Sequence, residues 1–552
     1  MPHATSEWAG HRDERSMPRT DLAVALTLAA FTVLSRVPLR SRLLPTWDAV
    51  QFALALRKYD IVTHQPHPPG YILYVAAARA VEALVGDATQ SFVWLAVVAS
   101  GATVFCVYHL AWMLYGRLPA VVAAVGLAAS PLFWFYGEVG LPYAVEAALA
   151  SAIAMLTWPM RCGRTSFVLW SALAVGVAGG VRQSLLALLL PLWVWTAWTG
   201  MRRWTPLIAG GVVILVTSVL WFVPMVWLAG GPGRYFDASR ELFDSTVRPT
   251  TVMGPPGAWL GNVRAMIEAL VLGMGLLLPV MIWILARRVP RGWETREWFV
   301  AAWILPPLGV YTWVHFGQYG YLLTVLPALY VLIAPGLATA ISSPAASRRR
   351  RWAARSALAG VVLAHAAFLV TAAPIRVHEI AGDSSWAERQ LAALRALYRH
   401  RLWAHTVRGL REQEGVVAAY TQAIRRDFDP ANTVIVVELG NPRSYPWFRH
   451  VTYYLPEFRA CHLRLPPWSH GYLDSAHLTS MATRVDDRIV LEPRVQHLLW
   501  MVDHWNHAVP RPPGLRELPL PYGRRLYVLD LHGRPVEHAG YRFSSLVSAP
   551  GH

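Results

Sequence analysis

Lysine is almost missing from this 552-residue chain: of 50 basic residues, 49 are arginine and one is Lys58. Such a bias follows genome composition, so the formal net charge of +17 is no evidence for a nucleic-acid partner. Cysteine is scarce as well. Cys106, Cys162 and Cys461 are too few for a disulfide framework and fall in three different environments, so free, structurally passive thiols are expected. Charged residues make up only 15% of the chain against 55% apolar, with a mean hydropathy of +0.34. That balance excludes a disordered chain and most soluble enzymes. No internal repeat or low-complexity tract is present, and no small-x-small cleavage pattern follows the first apolar run.

What is there is a series of apolar runs of bilayer-crossing length. They lie at 21–37, 91–113, 118–135, 142–160, 166–181, 183–200, 206–228, 264–286, 298–314, 320–342 and 356–374, eleven in all. The stretch 69–85 is short and carries Arg79 and Glu82. Arginine placement decides its reading. The connections containing Arg117, Arg161 and Arg164, Arg202 and Arg203, Arg287, Arg288 and Arg291, and Arg348 to Arg351 alternate as cytoplasmic loops only if 69–85 does not cross. It is then a juxtamembrane or re-entrant helix on the outer side. The resulting expectation is a polytopic α-helical membrane protein of the inner membrane, N-terminus cytoplasmic, with residues 1–374 as the membrane module and 38–90 as its first outer loop. Arg36, Arg40 and Arg42 break the rule on the outer side.

Residues 375–552 change character. An arginine-rich helical stretch at about 385–427 leads into the β-branched run TVIVVEL (433–439), and VTYYLP, RIVLEP and RLYVLDL are further strand candidates between prolines. A small extracytoplasmic α/β domain is expected.

Polar residues gather on the outer side in three places. The first is TWDAVQFALALRKYDIVTHQPHPPGY, spanning 46–71. With 47–58 helical, Asp48, Gln51, Ala55 and Lys58 share one face, and the carboxylate and ammonium lie about 15 Å apart along it. Lys58, beside Arg57, is a compact ammonium suited to a phosphate. Pro66, Pro68 and Pro69 make a rigid elbow that holds His64 and His67 at a set depth. Two histidines three apart, with no further ligand cluster, do not make a zinc site. The second place is SPLFWFYGEVGLPYAVEAAL, where Glu138 sits among aromatic residues including Tyr143; Glu146, in the following helix, is the weaker candidate. A carboxylate at that depth needs a partner or a polar substrate. Arg182 interrupts an apolar stretch near the outer interface, suited to snorkelling or to an anionic headgroup. The third place is HFGQYGYLLTVLPAL, which offers His315, Gln318, Tyr319 and Tyr321.

These clusters together, an aspartate in the first loop, an acidic residue after an SPLF-type helix end and an H-x-G-x-x-G-Y-L-L…P element, resemble the GT-C glycosyltransferases. Within them the chain is similar to the branch of protein O-mannosyltransferases and aminoarabinose transferase, over about residues 20–345. D-x-x-x-F…HPPGY is the strongest piece. The resemblance implies transfer of a sugar from a polyprenyl-phosphate donor to a glycan, lipid or protein acceptor at the outer face, with inversion. Asp48 would be the general base, and Glu138 would bind or orient acceptor or sugar. Lys58, Arg182, His315, Tyr319 and Tyr321 would bind the lipid phosphate, and Gln51, Arg57, His64, His67 and Tyr143 would bind substrate or position the loop. Relatives often carry a carboxylate pair where this chain has Asp48 followed by Ala49, so no cofactor and no tightly held divalent metal are expected.

Two other readings compete. A transporter or lipid flippase would also be polytopic, but would gather its ionisable groups near the midplane between repeats. A non-catalytic scaffold would leave Asp48 and Glu138 unexplained.

Overall fold

The computed structural model describes residues 17–375, 385–439, 448–465, 471–481, 484, 486–501 and 510–545. Arg12 and Arg15, ahead of the first apolar run, lie outside the described residues. The chain divides into two compact units. One holds Met1–Ser41, Pro69–Trp227 and Leu242–Leu410; the other holds Arg42–Pro68, Leu228–Glu241 and Arg411–His552. Position 374, the boundary drawn from the sequence, lies within the first unit, and residues 42–68 of the first loop belong to the second.

The helical unit contains α1 (Arg19–Arg36) and, after α2 (Trp47–Arg57) of the other unit, α3 (Ile72–Val85), α4 (Ala88–Tyr115), α5 (Arg117–Ala128), α6 (Pro131–Tyr136), α7 (Tyr143–Thr157), α8 (Ser166–Val181), α9 (Gln183–Met201) and α10 (Trp204–Leu228). After α11 (Pro232–Leu242) come α12 (Leu260–Met274), α13 (Leu278–Arg288), α14 (Thr295–Trp313), α15 (Leu326–Ser342), α16 (Arg348–Thr371) and α17 (Trp386–Leu397). The middle of the unit is α4, against which α1, α5 and α7 pack. Its 28 residues span about 42 Å at 1.5 Å per residue. In contrast α10 leaves Leu215, Leu220, Val223 and Trp227 exposed, an apolar surface that a bilayer would cover.

Among the described residues six helical stretches are long and apolar enough to cross a membrane: Ala88–Tyr115, Tyr143–Cys162, Gln183–Met201, Trp204–Leu228, Leu260–Arg288 and Arg348–Thr371. By these helices the chain is an integral membrane protein. Three shorter apolar helices, Arg117–Ala128, Ser166–Val181 and Leu326–Ser342, accompany them. Some apolar runs are longer than their helices. The run at 118–135 breaks where the Ser130 hydroxyl caps α6, and the run from 320 opens with a 3₁₀ turn, Tyr319–Thr324. The segment 69–85 becomes the 14-residue α3.

In the second unit α18 (Val407–Asp427) and α19 (Phe448–Tyr454) pack on one face of a six-stranded sheet. Its strands are β1 (Thr433–Leu439), β2 (Arg459–Arg464), β3 (Gly471–Asp474), β5 (His497–Trp500), β6 (Arg516–Leu520) and β7 (Arg524–Asp530), in the order β3-β2-β1-β5-β7-β6. β1 runs parallel to β2 and β5, and the outer pairs are antiparallel. A second sheet, order β4-β9-β8, is made by β4 (Arg488–Leu491), β8 (Val536–His538) and β9 (Tyr541–Ser545). Val417, Tyr420 and Ile424 of α18 pack with Ile435 and Val437, while Val434 and Val436 pack with Ile489 and Phe543. Covered on both faces, β1 needs an unbroken apolar run, which is why TVIVVEL was readable.

VTYYLP is not a strand. Phe448, Val451 and Leu455 all join the core, and their spacing of three and four is helical, so α19 forms there despite the β-branched and aromatic composition. Cys106, Cys162 and Cys461 are free thiols, the first and last buried and the second exposed.

Candidate active site

Asp48 lies in the first turn of α2, where Thr46 caps the helix by accepting the Ala49 N–H, a setting that favours a carboxylate. The predicted face is formed at its start. His67 Nδ1 meets Gln51 Oε1 at 2.8 Å and stands 4.0 Å from Asp48 Oδ1. With Gln51 Oε1 accepting, Nδ1 carries the proton and Nε2 of a neutral ring is left as an acceptor. Phe52 packs against the same imidazole at 5.5 Å.

The far end of that face is lost, because α2 stops at Arg57 and Lys58 is extended, so the helical rotation that aligned Lys58 with Gln51 ends one residue short. The Lys58 ammonium is 71% exposed and pairs with Asp60 at 3.0 Å. Burial opposes ionisation of Asp60, but the Lys58 hydrogen bond and charge outweigh it and hold the carboxyl below its usual value. Arg57 lies over the Tyr453 ring at 4.7 Å. His64 is buried. Desolvation, with His67 and Arg449 nearby, lowers its pKa to about 3, so it is a neutral core residue that fits loop positioning.

In the helical unit Arg182 falls between α8 and α9 and is nearly buried. Its Nη1 donates to Glu146 Oε2 at 2.9 Å, and its guanidinium lies 3.9 Å from the Tyr321 ring centre. Tyr143, Tyr311 and His315 surround that ring at 5.8, 5.6 and 6.0 Å. His315 Nδ1 meets Thr250 Oγ1 at 2.9 Å, and burial beside Arg182 lowers its pKa to about 4. It therefore offers a neutral imidazole rather than a second positive charge. Asn262 pins this turn by donating to the carbonyls of Thr250 and Thr312 and accepting the Phe316 N–H.

Tyr319 stands apart. With about three residues per turn in the 3₁₀ segment, positions two apart point in different directions, and Tyr319 bonds Glu268 and stacks on His405 at 5.1 Å while Tyr321 faces Arg182. Glu268 is also reached by Arg264 at 2.9 Å.

Glu138 is fully buried, and the charge opposite it is Arg36. Arg36 donates to the carbonyls of Thr32 and Ala128 and lies over Phe133 and Trp134 at 5.3 and 5.1 Å. Arg40 bonds Gln90 and covers Trp94. Arg36 is thus a buried, engaged charge at the end of α1, whereas Arg40 sits half-buried in the turn that follows.

The pairing of Glu146, the weaker candidate, with Arg182 was not anticipated, and Arg36, Glu268, His405 and Arg449 were not singled out as site residues. Glu146 had a signal, a carboxylate inside an apolar helix. Arg449 had none, since nothing local distinguishes it among 49 arginines.

No family model matches the sequence, and no curated protein matches it. Solved structures do. The chain is similar to ArnT from Cupriavidus metallidurans bound to undecaprenyl phosphate, with a TM-score of 0.52 at 14% identity, covering 92% of this chain and 97% of that one. ArnT in the apo state gives 0.50 at 16% identity with the same coverage. The Archaeoglobus fulgidus oligosaccharyltransferase tethered with an acceptor peptide gives 0.44 at 12%, covering 79% and 63%. At these identities the likeness to ArnT shows the fold. It is the fold that the resemblance to aminoarabinose transferase implied, a polytopic helical membrane protein with a sheet region at the C-terminal end.

Proposed function

We propose that this protein is a membrane glycosyltransferase that moves a sugar from a polyprenyl-phosphate donor to an acceptor hydroxyl, with inversion at the anomeric carbon. The observation that carries the reading is Arg182, buried with Tyr321 against it and His315 and Tyr143 around that ring, in a chain sharing the fold of ArnT, which has been solved with undecaprenyl phosphate. Among the described residues only one hydrogen bond engages the Arg182 guanidinium, so donors remain for a phosphate.

In this mechanism Asp48 accepts the proton of the acceptor hydroxyl as its oxygen attacks the anomeric carbon. The bond from that carbon to the phosphate oxygen breaks and the electron pair leaves on the phosphate. Arg182, with the neutral His315 and the Tyr321 hydroxyl as hydrogen-bond donors, stabilises the growing charge. His67 and Gln51 orient Asp48. Glu138, buried opposite Arg36, fits an orienting role rather than contact with the sugar. Lys58 and Tyr319 are assigned to binding of the donor headgroup. The lone carboxylate at the position where relatives often carry a pair, Asp48 followed by Ala49, supports transfer without a divalent metal. We further propose eleven spans, a cytoplasmic N-terminus and an outward-facing C-terminal unit in the inner membrane.

The test is a panel of radiolabelled undecaprenyl-phosphate monosaccharides, mannose and aminoarabinose among them, incubated with the purified protein and membrane extract as acceptor source. The wild type transfers label from at least one donor, and EDTA does not change the rate. Asp48→Asn lowers turnover by at least about 100-fold, the span of a lost general base, with melting temperature and undecaprenyl phosphate binding intact. Full turnover in Asp48→Asn removes it from the mechanism, and EDTA inhibition reversed by Mg²⁺ overturns the metal-independent reading.

A further inference from the structure

The first-loop segment 42–68 shares its compact unit with the C-terminal sheet, and it is gripped there at four places. At its start, Glu414 of α18 accepts the N–H groups of Arg42 and Leu43 at 2.5 and 3.3 Å, and Arg411 steadies the carboxylate at 2.6 Å. One residue on, the Leu44 N–H donates to the Tyr454 hydroxyl of α19 at 2.7 Å. Along α2, Trp47 packs with Leu43 against the sheet core and meets the His462 ring at 6.1 Å, and Arg57 covers Tyr453. At its end, Arg449 of α19 donates to the Thr63 carbonyl, with the Asp60 charge near it.

Two of these grips are costly. Arg449 is fully buried, and among the described residues its Nε and Nη1 have no hydrogen-bond partner. Desolvation lowers its pKa to about 9, against the pull of Asp60. A guanidinium left half-satisfied inside a protein is destabilising unless the contact it does make matters. Glu414 is likewise nearly buried and spends one oxygen on backbone N–H groups 372 and 371 positions away. The gripped element needs such support. α2 has 11 residues, short for a helix that must hold its own direction, and Asp48 sits four residues beyond the Tyr454 contact.

We propose that the C-terminal unit is the mount that aims Asp48, with Arg449, Tyr454 and Glu414 as positioning residues that fix the first loop at both ends. The proposal rests on the reading of Asp48 as the base. Proton abstraction demands placement within a fraction of an ångström, so releasing either end would lower turnover without touching the donor.

Glu414→Ala, Tyr454→Phe and Arg449→Met test this in the full chain in detergent, with Glu414→Gln as the conservative variant whose side-chain oxygen still accepts both N–H groups. Three quantities are read: amide hydrogen exchange of 47–57, undecaprenyl phosphate binding, and kcat with the donor found by the panel. In Glu414→Ala and Tyr454→Phe, exchange across α2 accelerates about tenfold, the equivalent of one lost hydrogen bond, while β1 and β2 keep their protection. kcat falls by about 10- to 100-fold, undecaprenyl phosphate affinity stays within about twofold, and Glu414→Gln restores both exchange and kcat. Unchanged α2 exchange, or faster exchange with unchanged kcat per folded molecule, overturns the proposal. Arg449→Met should behave as the other two where it folds, and the milder pair decides the matter where it does not. Failure of the base reading shows separately, as full turnover in Asp48→Asn while the exchange results stand.

Discussion

Among the described residues, His64, His315, His405 and His462 are held uncharged by their surroundings. Burial takes His64 and His462 to about 3 and His315 and His405 to about 4, with Arg449 adding to the effect at the first two. In an unfolded chain each would titrate near its ordinary 6.5. Below that value the unfolded state binds more protons than the folded one, so the stability these residues contribute is fully present above pH 6.5 and is lost progressively as pH falls toward 4. Thermal unfolding of the full chain should show a melting temperature that is level from pH 8 to 7 and declines from 6.5 to 4.5. His462→Gln should make that decline shallower; an equal slope in the variant would mean that His462 is not kept neutral. At this scale the sequence was partly readable. Asp48, Gln51 and His67 came together because three positions along a helix and a proline elbow are local geometry. Arg182 was recognisable as an arginine in an apolar stretch, whereas the 2.9 Å contact to Glu146 depended on how α7 and α8 pack.

Elements decide which way residues face. The 3₁₀ turn at 319–324 directs Tyr321 to Arg182 and Tyr319 to Glu268, so an H-x-G-x-x-G-Y string read as one donor patch is divided in two. Its glycines have distinct duties. A Cβ on Gly320 would lie 2.1 Å from the Tyr143 ring, and one on Gly317 would lie 2.6 Å from His315 Nε2. Gly320→Ala should therefore push Tyr143 away from Tyr321, cost about 1–3 kcal/mol of stability as overpacking does, and weaken undecaprenyl phosphate binding. Equal affinity in a folded Gly320→Ala protein would separate Tyr143 from the headgroup. α19 carries the opposite lesson. Its aromatic and β-branched residues favour a strand by composition, and only the burial of Phe448, Val451 and Leu455 on one side selects the helix.

At the scale of the whole molecule, orientation follows from whether α3 crosses the bilayer. Its 14 residues give about 21 Å, short of a hydrocarbon core of about 30 Å. In a Cys162→Ser background, single cysteines at Pro69 and Asp87 should both react with a membrane-impermeant maleimide applied from the outer face. Reaction at only one of them would mean that α3 spans and that the arginine alternation must be redrawn. The sequence by itself determined that the chain is a membrane protein, where its apolar runs lie, that TVIVVEL makes a strand, and that the first loop carries a carboxylate at Asp48. All of these are set within some 30 consecutive residues, by hydropathy, helical period and proline. The tertiary structure decided the rest: the counter-ions of Arg182 and Glu138, the division of the tyrosines, and the mounting of the first loop on a helix and a guanidinium more than 370 positions away. Pairings over such separations leave no mark on local composition, because their energy appears only when distant segments share a desolvated space.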